Sequence, residues 1–260
     1  MRAVPEGRLD ESSVLAKVMK VLHAFTHEDH GVGFAELQRR TGLAKATLHR
    51  LLGDMVIARL LDRDDAGSYR LGVNLFELGM RASVERTLLE VATPFLEDLY
   101  ERTHETVHLA VREGTEVVYV AKVTGHRRVD APSRVGGRQP LHSTALGKSL
   151  LAYAPEAVRR EVLGEPLARL APRTIVAPGR LAAQLAEVRS SGVAFEFEES
   201  RVGVVCVGAP ILLDGDRAVG AISVTGPITR FEPQRHAAAI KVAASGIAAL
   251  LARGDALNVT

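Results

Sequence analysis

The chain has 260 residues, 47% hydrophobic and 25% charged, which suits a folded globular protein with room for two domains. Its formal net charge is only +2, so any affinity for nucleic acid has to come from a local patch. The single cysteine, Cys206, excludes an internal disulfide, and the acid-bearing start MRAVPEGRLDESS does not read as a signal peptide. No uncharged apolar run approaches the roughly 18 residues of a membrane span, so the cytoplasm is the expected compartment, without a membrane partner.

Residues 1–11 read as a disordered arm, polar and interrupted by Pro5 and Gly7. Ser12 or Ser13 can cap a first helix whose apolar stripe is Val14, Leu15, Val18, Val21, Leu22 and Phe25. After the loop THEDHGVG comes GFAELQRRTGLAKATLHRLL, residues 33–52, which reads as two short helices with Gly42 at the corner. In the second, Leu48, Leu51, Leu52 and Met55 share one side at helical spacing. Ala46, His49, Arg50 and Gly53 fall opposite, flanked by Lys45 and Thr47. From Gln38 to Gly53 every full charge is positive: Arg39, Arg40, Lys45 and Arg50. A small, cationic, acid-free helix face of this kind fits the major groove of B-DNA. The competing reading is an ordinary helical hairpin with a solvated basic face.

Residues 56–72, VIARLLDRDDAGSYRLG, contain two short strands around the turn Asp65-Ala66-Gly67-Ser68. Three helices followed by a hairpin make a winged helix-turn-helix, residues 12–72. Its wing gives Arg63 and Arg70 access to the DNA backbone, although Asp62, Asp64 and Asp65 are close enough to make them ordinary surface charges. Residues 73–87 are expected to be a linker helix. A further helix with Leu88, Leu89, Val91, Ala92, Phe95, Leu96 and Leu99, interrupted or kinked near Pro94, opens the remaining domain, residues 88–260.

From Thr106 the period changes. VHLAVREG and TEVVYVAKV form a hairpin about Gly114. Residues 124–142, TGHRRVDAPSRVGGRQPLH, are a long Gly- and Pro-rich loop with four arginines and room for one short strand. STALGKSLLAYA reads as a helix, Pro155–Leu163 as a second and Leu181–Ser191 as a third, ended by Gly192. Alternation around Phe195 and Phe197, then GVVCVGAPILL, Asp214-Gly215-Asp216 and AVGAISVTG, read as strands, and Pro233–Ala252 as a closing Ala-rich helix. Strand pairs interleaved with helices, without regular βαβ alternation, argue for an α+β domain with an antiparallel sheet.

Four motifs in order, GLAKATLHRLL, YRLG, PLHSTALGKSLLA and GVVCVGAPI…GAISVTGP, resemble the IclR family of bacterial transcriptional regulators, from about Ser12 to Ala252. The resemblance implies a winged helix-turn-helix head, a linker helix, a GAF-like effector domain, and dimers that commonly pair into tetramers. It also implies an effector pocket at Ala145, Leu146, Glu196, Cys206, Ser223 and Thr225. Glu196 stands where Asp is expected and Leu146 where Ala is expected, so effector identity does not transfer.

The residues point the same way independently. If Ser143 caps its helix, the N–H groups of Thr144, Ala145 and Leu146 lack intrahelical partners at the positive end of the dipole. Such a turn holds anions, and Ser223 and Thr225, two apart on a strand, face one side. The alternative is that Ser143 is only a cap and the two hydroxyls bond to neighbouring backbone.

Other constellations carry less. His104, His108, His126 and His142 read as loop or surface histidines rather than as metal ligands. Cys206, inside an apolar strand, reads as a buried inert thiol. Glu198 and Glu199 read as solvated neighbours of one pocket acid, Glu196. Lys148 after Gly147 lacks the glycine spacing of a phosphate loop. The sequence therefore predicts a regulator that binds double-stranded DNA at an inverted repeat, needs no cofactor, is not an enzyme, and is controlled by a small organic acid. Its alternatives are an enzyme of small organic acids with an oligomerising head, or a sensor module that signals to a protein.

Overall fold

The computed structural model describes residues 10–79, 81, 83–125 and 130–257. Most of the expected disordered arm, together with Met80 and His126, lies outside them. The chain divides into two compact units between residues 83 and 84.

In the N-terminal unit, Ser13 caps α1 (Val14–His23), its hydroxyl accepting from Ala16 N–H at 3.1 Å. α2 (Phe34–Thr41) ends at Gly42, whose φ of 63° is the left-handed conformation that glycine adopts without a Cβ penalty. After that corner runs α3 (Lys45–Ile57). Leu48, Leu52 and Met55 of α3 join Val21, Leu37, Leu61 and Tyr69 in one core. The wing is β1 (Leu61–Arg63) paired antiparallel with β2 (Tyr69–Leu71), in the register Leu61↔Leu71. Val32 adds an isolated bridge to Tyr69. α4 (Val73–Gly79) follows and stops at Gly79. The stretch 73–87, expected as a linker helix, holds all of α4 and, from Ser83, the first residues of a second helix.

The C-terminal unit opens with α5 (Ser83–Thr103), which runs uninterrupted through Pro94. The strands are β3 (Thr106–Glu113), β4 (Glu116–Val123), β5 (Arg138–Pro140), β6 (Ala194–Phe197), β7 (Val204–Leu213) and β8 (Arg217–Pro227), and the helices between β5 and β6 are α6 (Ala145–Ala152), α7 (Glu156–Gly164) and α8 (Pro178–Ser191). The sheet order is β5-β4-β3-β8-β7-β6, every pair antiparallel. Period two along β7 sorts its side chains between two cores. Val205, Val207, Ala209 and Ile211 meet Leu88, Leu96 and Leu99 of α5 and Ile240, Ala244 and Ile247 of α9 (Ala237–Leu257). Val204 and Cys206 face α6, α7 and α8 through Leu150, Val162 and Leu185.

The segment Pro233–Gly254 has the length and mean hydropathy, 1.4, of a membrane span, but it is not an uncharged run, since Lys241 lies within it. Its buried residues pack on the sheet as a core helix does. The start of α6 lies against the sheet because β7 carries Gly208 there: a Cβ at that position would sit 3.1 Å from the backbone of Ala145.

Candidate functional site

On the head, α3 buries Leu48, Leu51, Leu52 and Met55 and leaves Lys45, Ala46, His49 and Arg50 exposed, with Thr47 half-buried. The other head cations divide. Arg39 pairs with Glu36 in the open, 2.8 and 2.6 Å. Arg40 reaches inward to Asp29 at 2.6 and 3.0 Å, Glu36 at 2.7 Å and Ala24 O at 2.9 Å. It ties α2 to the loop before it. In the wing, Arg63 stacks over Tyr69, 5.5 Å from the ring centre, and Arg70 lies 3.6 Å from Asp64. Both expected wing contacts therefore already have partners within the head.

In the C-terminal unit, Ala145, Leu146, Cys206, Ser223 and Thr225 line one small cavity of about 20 Å³, together with His108, Tyr119, Ser133, Thr144 and Ser200. That is room for about one water. The cap of α6 is Thr144, not Ser143: the Thr144 hydroxyl accepts from Gly147 N–H at 2.9 Å, while Ser143 Oγ donates to Pro140 O at 3.3 Å. The shift leaves the N–H groups of Ala145 and Leu146 in the first turn without intrahelical partners. Ser223 and Thr225 do face one side, and what they meet is His108: its Nδ1 lies 3.5 and 3.4 Å from their hydroxyls and its Nε2 2.8 Å from Ser133 Oγ. Burial, and secondarily the Lys122 cation, push the His108 pKa down to about 3, so the ring is neutral at physiological pH.

Glu196 stands behind the cavity rather than in its lining. Its Oε1 accepts from the N–H groups of Glu199 and Ser200 at 2.8 and 3.0 Å, and its Oε2 from the Cys206 thiol at 2.7 Å. Burial raises the pKa of Glu196, and burial pushes the Cys206 thiol well up, so the sulfur is no thiolate nucleophile. Glu199 is not solvated: it is buried and takes Lys148 Nζ at 2.7 Å, with Gln184 accepting from the same ammonium at 2.9 Å. A larger open cleft of about 530 Å³ lies alongside, lined by Arg169, Arg173, Arg180, Gln184 and Glu199. None of the expected effector residues lines it.

Residues 14–65 match the IclR helix-turn-helix domain, and residues 80–249 match the bacterial transcriptional regulator IclR C-terminal domain. The chain belongs to the IclR family of DNA-binding transcriptional regulators. It is 32% identical to the HTH-type transcriptional regulator XynR of Escherichia coli K12, over 83% of this chain and 86% of that protein. It is 30% identical to the transcriptional repressor IclR of the same organism, over 85% and 82%. Among solved structures, an IclR homolog from Microbacterium hydrocarbonoxydans complexed with 4-hydroxybenzoate aligns at a TM-score of 0.86 and 32% identity, over 91% of this chain and 98% of that one. The IclR of Thermotoga maritima aligns at 0.76 and 30%, over 91% and 98%.

Within this IclR-family fold the polar cavity side chains missed by sequence reasoning are His108, Tyr119, Ser133, Thr144 and Ser200. His108 and His142 are buried, not surface histidines, with His142 Nε2 2.9 Å from Ala168 O. A signal for His108 was present. It sits in VHLAVREG between apolar residues, and β3 runs in the sheet interior, paired on both sides.

Proposed function

We propose that this IclR-family regulator binds an inverted-repeat operator as a homodimer, or a dimer of dimers, and that a small organic acid in the His108–Ser223–Thr225 cavity controls that binding in the cytoplasm. The observation that carries the reading is the convergence of two donor sets on one buried cavity: the first turn of α6, and the hydroxyls of β8. Charge-assisted hydrogen bonds from such donors favour a carboxylate over a neutral group. The 4-hydroxybenzoate held by the Microbacterium homolog is an acid of that class, a monocarboxylate with an apolar body and a hydroxyl. At about 20 Å³ the cavity has to widen to admit one, and that widening is the conformational work the effector performs. Coupling follows if the acid binds the two arrangements of the heads with different affinity.

On the DNA side, Ala46, His49 and Arg50 are proposed to read base edges, and Lys45 and Thr47 to contact phosphate or sugar. Arg39 joins the phosphate contacts. Arg40 is assigned to holding the head together, and Arg63 and Arg70 reach the backbone only by leaving Tyr69 and Asp64. Val73 and Phe76 of α4, three apart on one side of the helix, are exposed, an apolar pair that a second copy would cover.

The test is a gel-shift titration on the protein's own upstream DNA with and without benzoate, 4-hydroxybenzoate and short aliphatic acids, paired with calorimetry on wild type and a Ser223→Ala/Thr225→Val variant. The expected result is acid-dependent operator affinity in wild type and weakened acid binding in the variant. Equal acid affinity in both proteins places the site elsewhere, the arginine-lined cleft being the next place to look.

A further inference from the structure

Resting on the effector reading above, we infer that His108 is the residue by which the cavity distinguishes a carboxylate from its neutral analogue, by taking up a proton from solvent as the acid binds. A carboxylate brought into a buried cavity needs a compensating charge. Among the described residues no lysine or arginine lines this one. The α6 terminus offers only about half a charge. Of the described lining residues, His108, 2% exposed, has the side chain that can become a full cation.

Its surroundings accept either form of the ring. Among the described residues its hydrogen-bond partners are hydroxyls: Ser133 at Nε2, Ser223 and Thr225 at Nδ1. A hydroxyl both donates and accepts. Around a neutral ring, one nitrogen donates and the other accepts. Around an imidazolium both nitrogens donate, and each hydroxyl rotates to accept. That rotation frees the Ser223 and Thr225 hydrogens to point at the ligand, so the cation and the carboxylate are joined through two charge-assisted bonds. A backbone N–H in place of any of these partners would clash with the charged ring.

The neighbours set the direction of the switch. Lys122 of β4 stands opposite His108 in register and donates to Ser133 O at 2.7 Å. Tyr119 of β4 meets the ring edge-on at 5.3 Å, its pKa raised by burial. Cys206 of β7 is Thr225's partner and is bonded to Glu196 of β6. No carboxylate touches the ring among the described residues, so burial and Lys122 keep it neutral until an anion arrives. The balance is simple: one proton leaves the buffer acid and bonds to the free ring nitrogen, the ligand stays a carboxylate, and no ligand bond breaks. Acid affinity therefore falls as pH rises, by up to about ten-fold per unit between the low value of His108 alone and its raised value in the complex.

The experiment is calorimetry of the full-length protein with benzoate, 4-hydroxybenzoate and 4-hydroxybenzamide, in two buffers of different ionisation enthalpy at pH 7. We expect close to one proton taken up per acid bound and none per amide. His108→Gln keeps a neutral hydrogen-bonding side chain and should abolish the uptake, with the acid-over-amide preference falling at least ten-fold. Nitrogen-15 NMR of the wild-type histidines, with and without saturating acid, supplies a readout that does not depend on the variant folding: the His108 shifts should move to imidazolium values. Acid binding without uptake or imidazolium shifts overturns the inference and leaves the effector reading standing. Failure of both acids to bind overturns both.

Discussion

In the head, Thr41 is the one buried polar side chain other than Tyr69 among the described residues, its hydroxyl tied to Leu37 O. The C-terminal unit buries Glu105, His108, His142, Lys148, Glu196, Glu199, Ser223 and Thr225, among others. The head thus keeps an apolar core and offers its functional groups on the outside of α3. The C-terminal unit carries its chemistry inside, where each polar group must be bonded or cost free energy. If the proposed function holds, a surface reader tolerates side-chain loss without unfolding, whereas an internal sensor couples ligand chemistry to its own stability.

Breaking the buried ion pair tests this contrast most severely. Lys148 is 1% exposed and Glu199 4%. Lys148→Met leaves the Glu199 carboxylate uncompensated and should destabilise the C-terminal unit by about 3–5 kcal/mol in denaturant unfolding. The double variant with Glu199→Leu should recover much of that loss. A single variant as stable as wild type would mean that the pair holds nothing.

Acid should separate the two units. His108 is held neutral down to about 3, mainly by burial. The unfolded chain protonates its histidines near 6.5. Between those values the unfolded state binds the proton and the folded state does not, so stability falls as pH drops below about 6.5, by up to about 1.4 kcal/mol per unit. Burial lowers His142 too, adding to the same loss. In the head the ion-paired carboxylates behave oppositely in range. The Arg39 guanidinium holds Glu36 down to about 2, and that of Arg40 holds Asp29 lower still. Their contribution persists above the ordinary carboxylate range near 4.5 and fades only below it. Hydrogen exchange at pH 5 should therefore show the C-terminal unit loosening while the head is intact, and His108→Gln should reduce that difference.

On the DNA side the expected effects are smaller and leave stability alone. Arg50→Ala should cost about 1–3 kcal/mol of operator binding and relax preference at one base pair, with no change in melting. Unchanged binding to both operator and random DNA would remove α3 as the reading helix.

Legibility in the sequence follows the same division. The head elements are readable because period 3.6 with a Gly corner, and a polar Gly-containing turn, are local signals. The sheet strands were readable for the same reason, and Ser223 and Thr225 were placed on one face by period two. What they face was not readable, since His108 lies more than a hundred residues away and meets them only through the β3–β8 register. The one-residue slip of the cap from Ser143 to Thr144 reflects two adjacent hydroxyls that local pattern cannot rank. Glu199, in the bend after β6, reads as solvated because its partner, Lys148, comes from α6, 51 residues away. Pro94 looked like a break, yet α5 is buried along Leu88, Ala92, Leu96 and Leu99, and packing carries it through.

The smallest predicted effect separates two neighbours that sequence treats alike. Arg39 and Arg40 are adjacent cations in one basic run. In the structure the Arg39 side chain is 74% exposed and Arg40 25%, and only Arg40 reaches across to Asp29 and the Ala24 carbonyl. An exposed pair such as Arg39–Glu36 contributes little to folding, because water and salt screen it. Arg39→Ala should leave the melting temperature of the head unchanged. If it contacts one phosphate, its loss should lower the slope of log affinity against log salt by about 0.9. Arg40→Ala should do the reverse, lowering the melting temperature with the salt slope retained in whatever fraction stays folded. Finding both effects on the same residue, or a salt-slope change for Arg40 alone, would show that the inward contacts of Arg40 open when DNA binds.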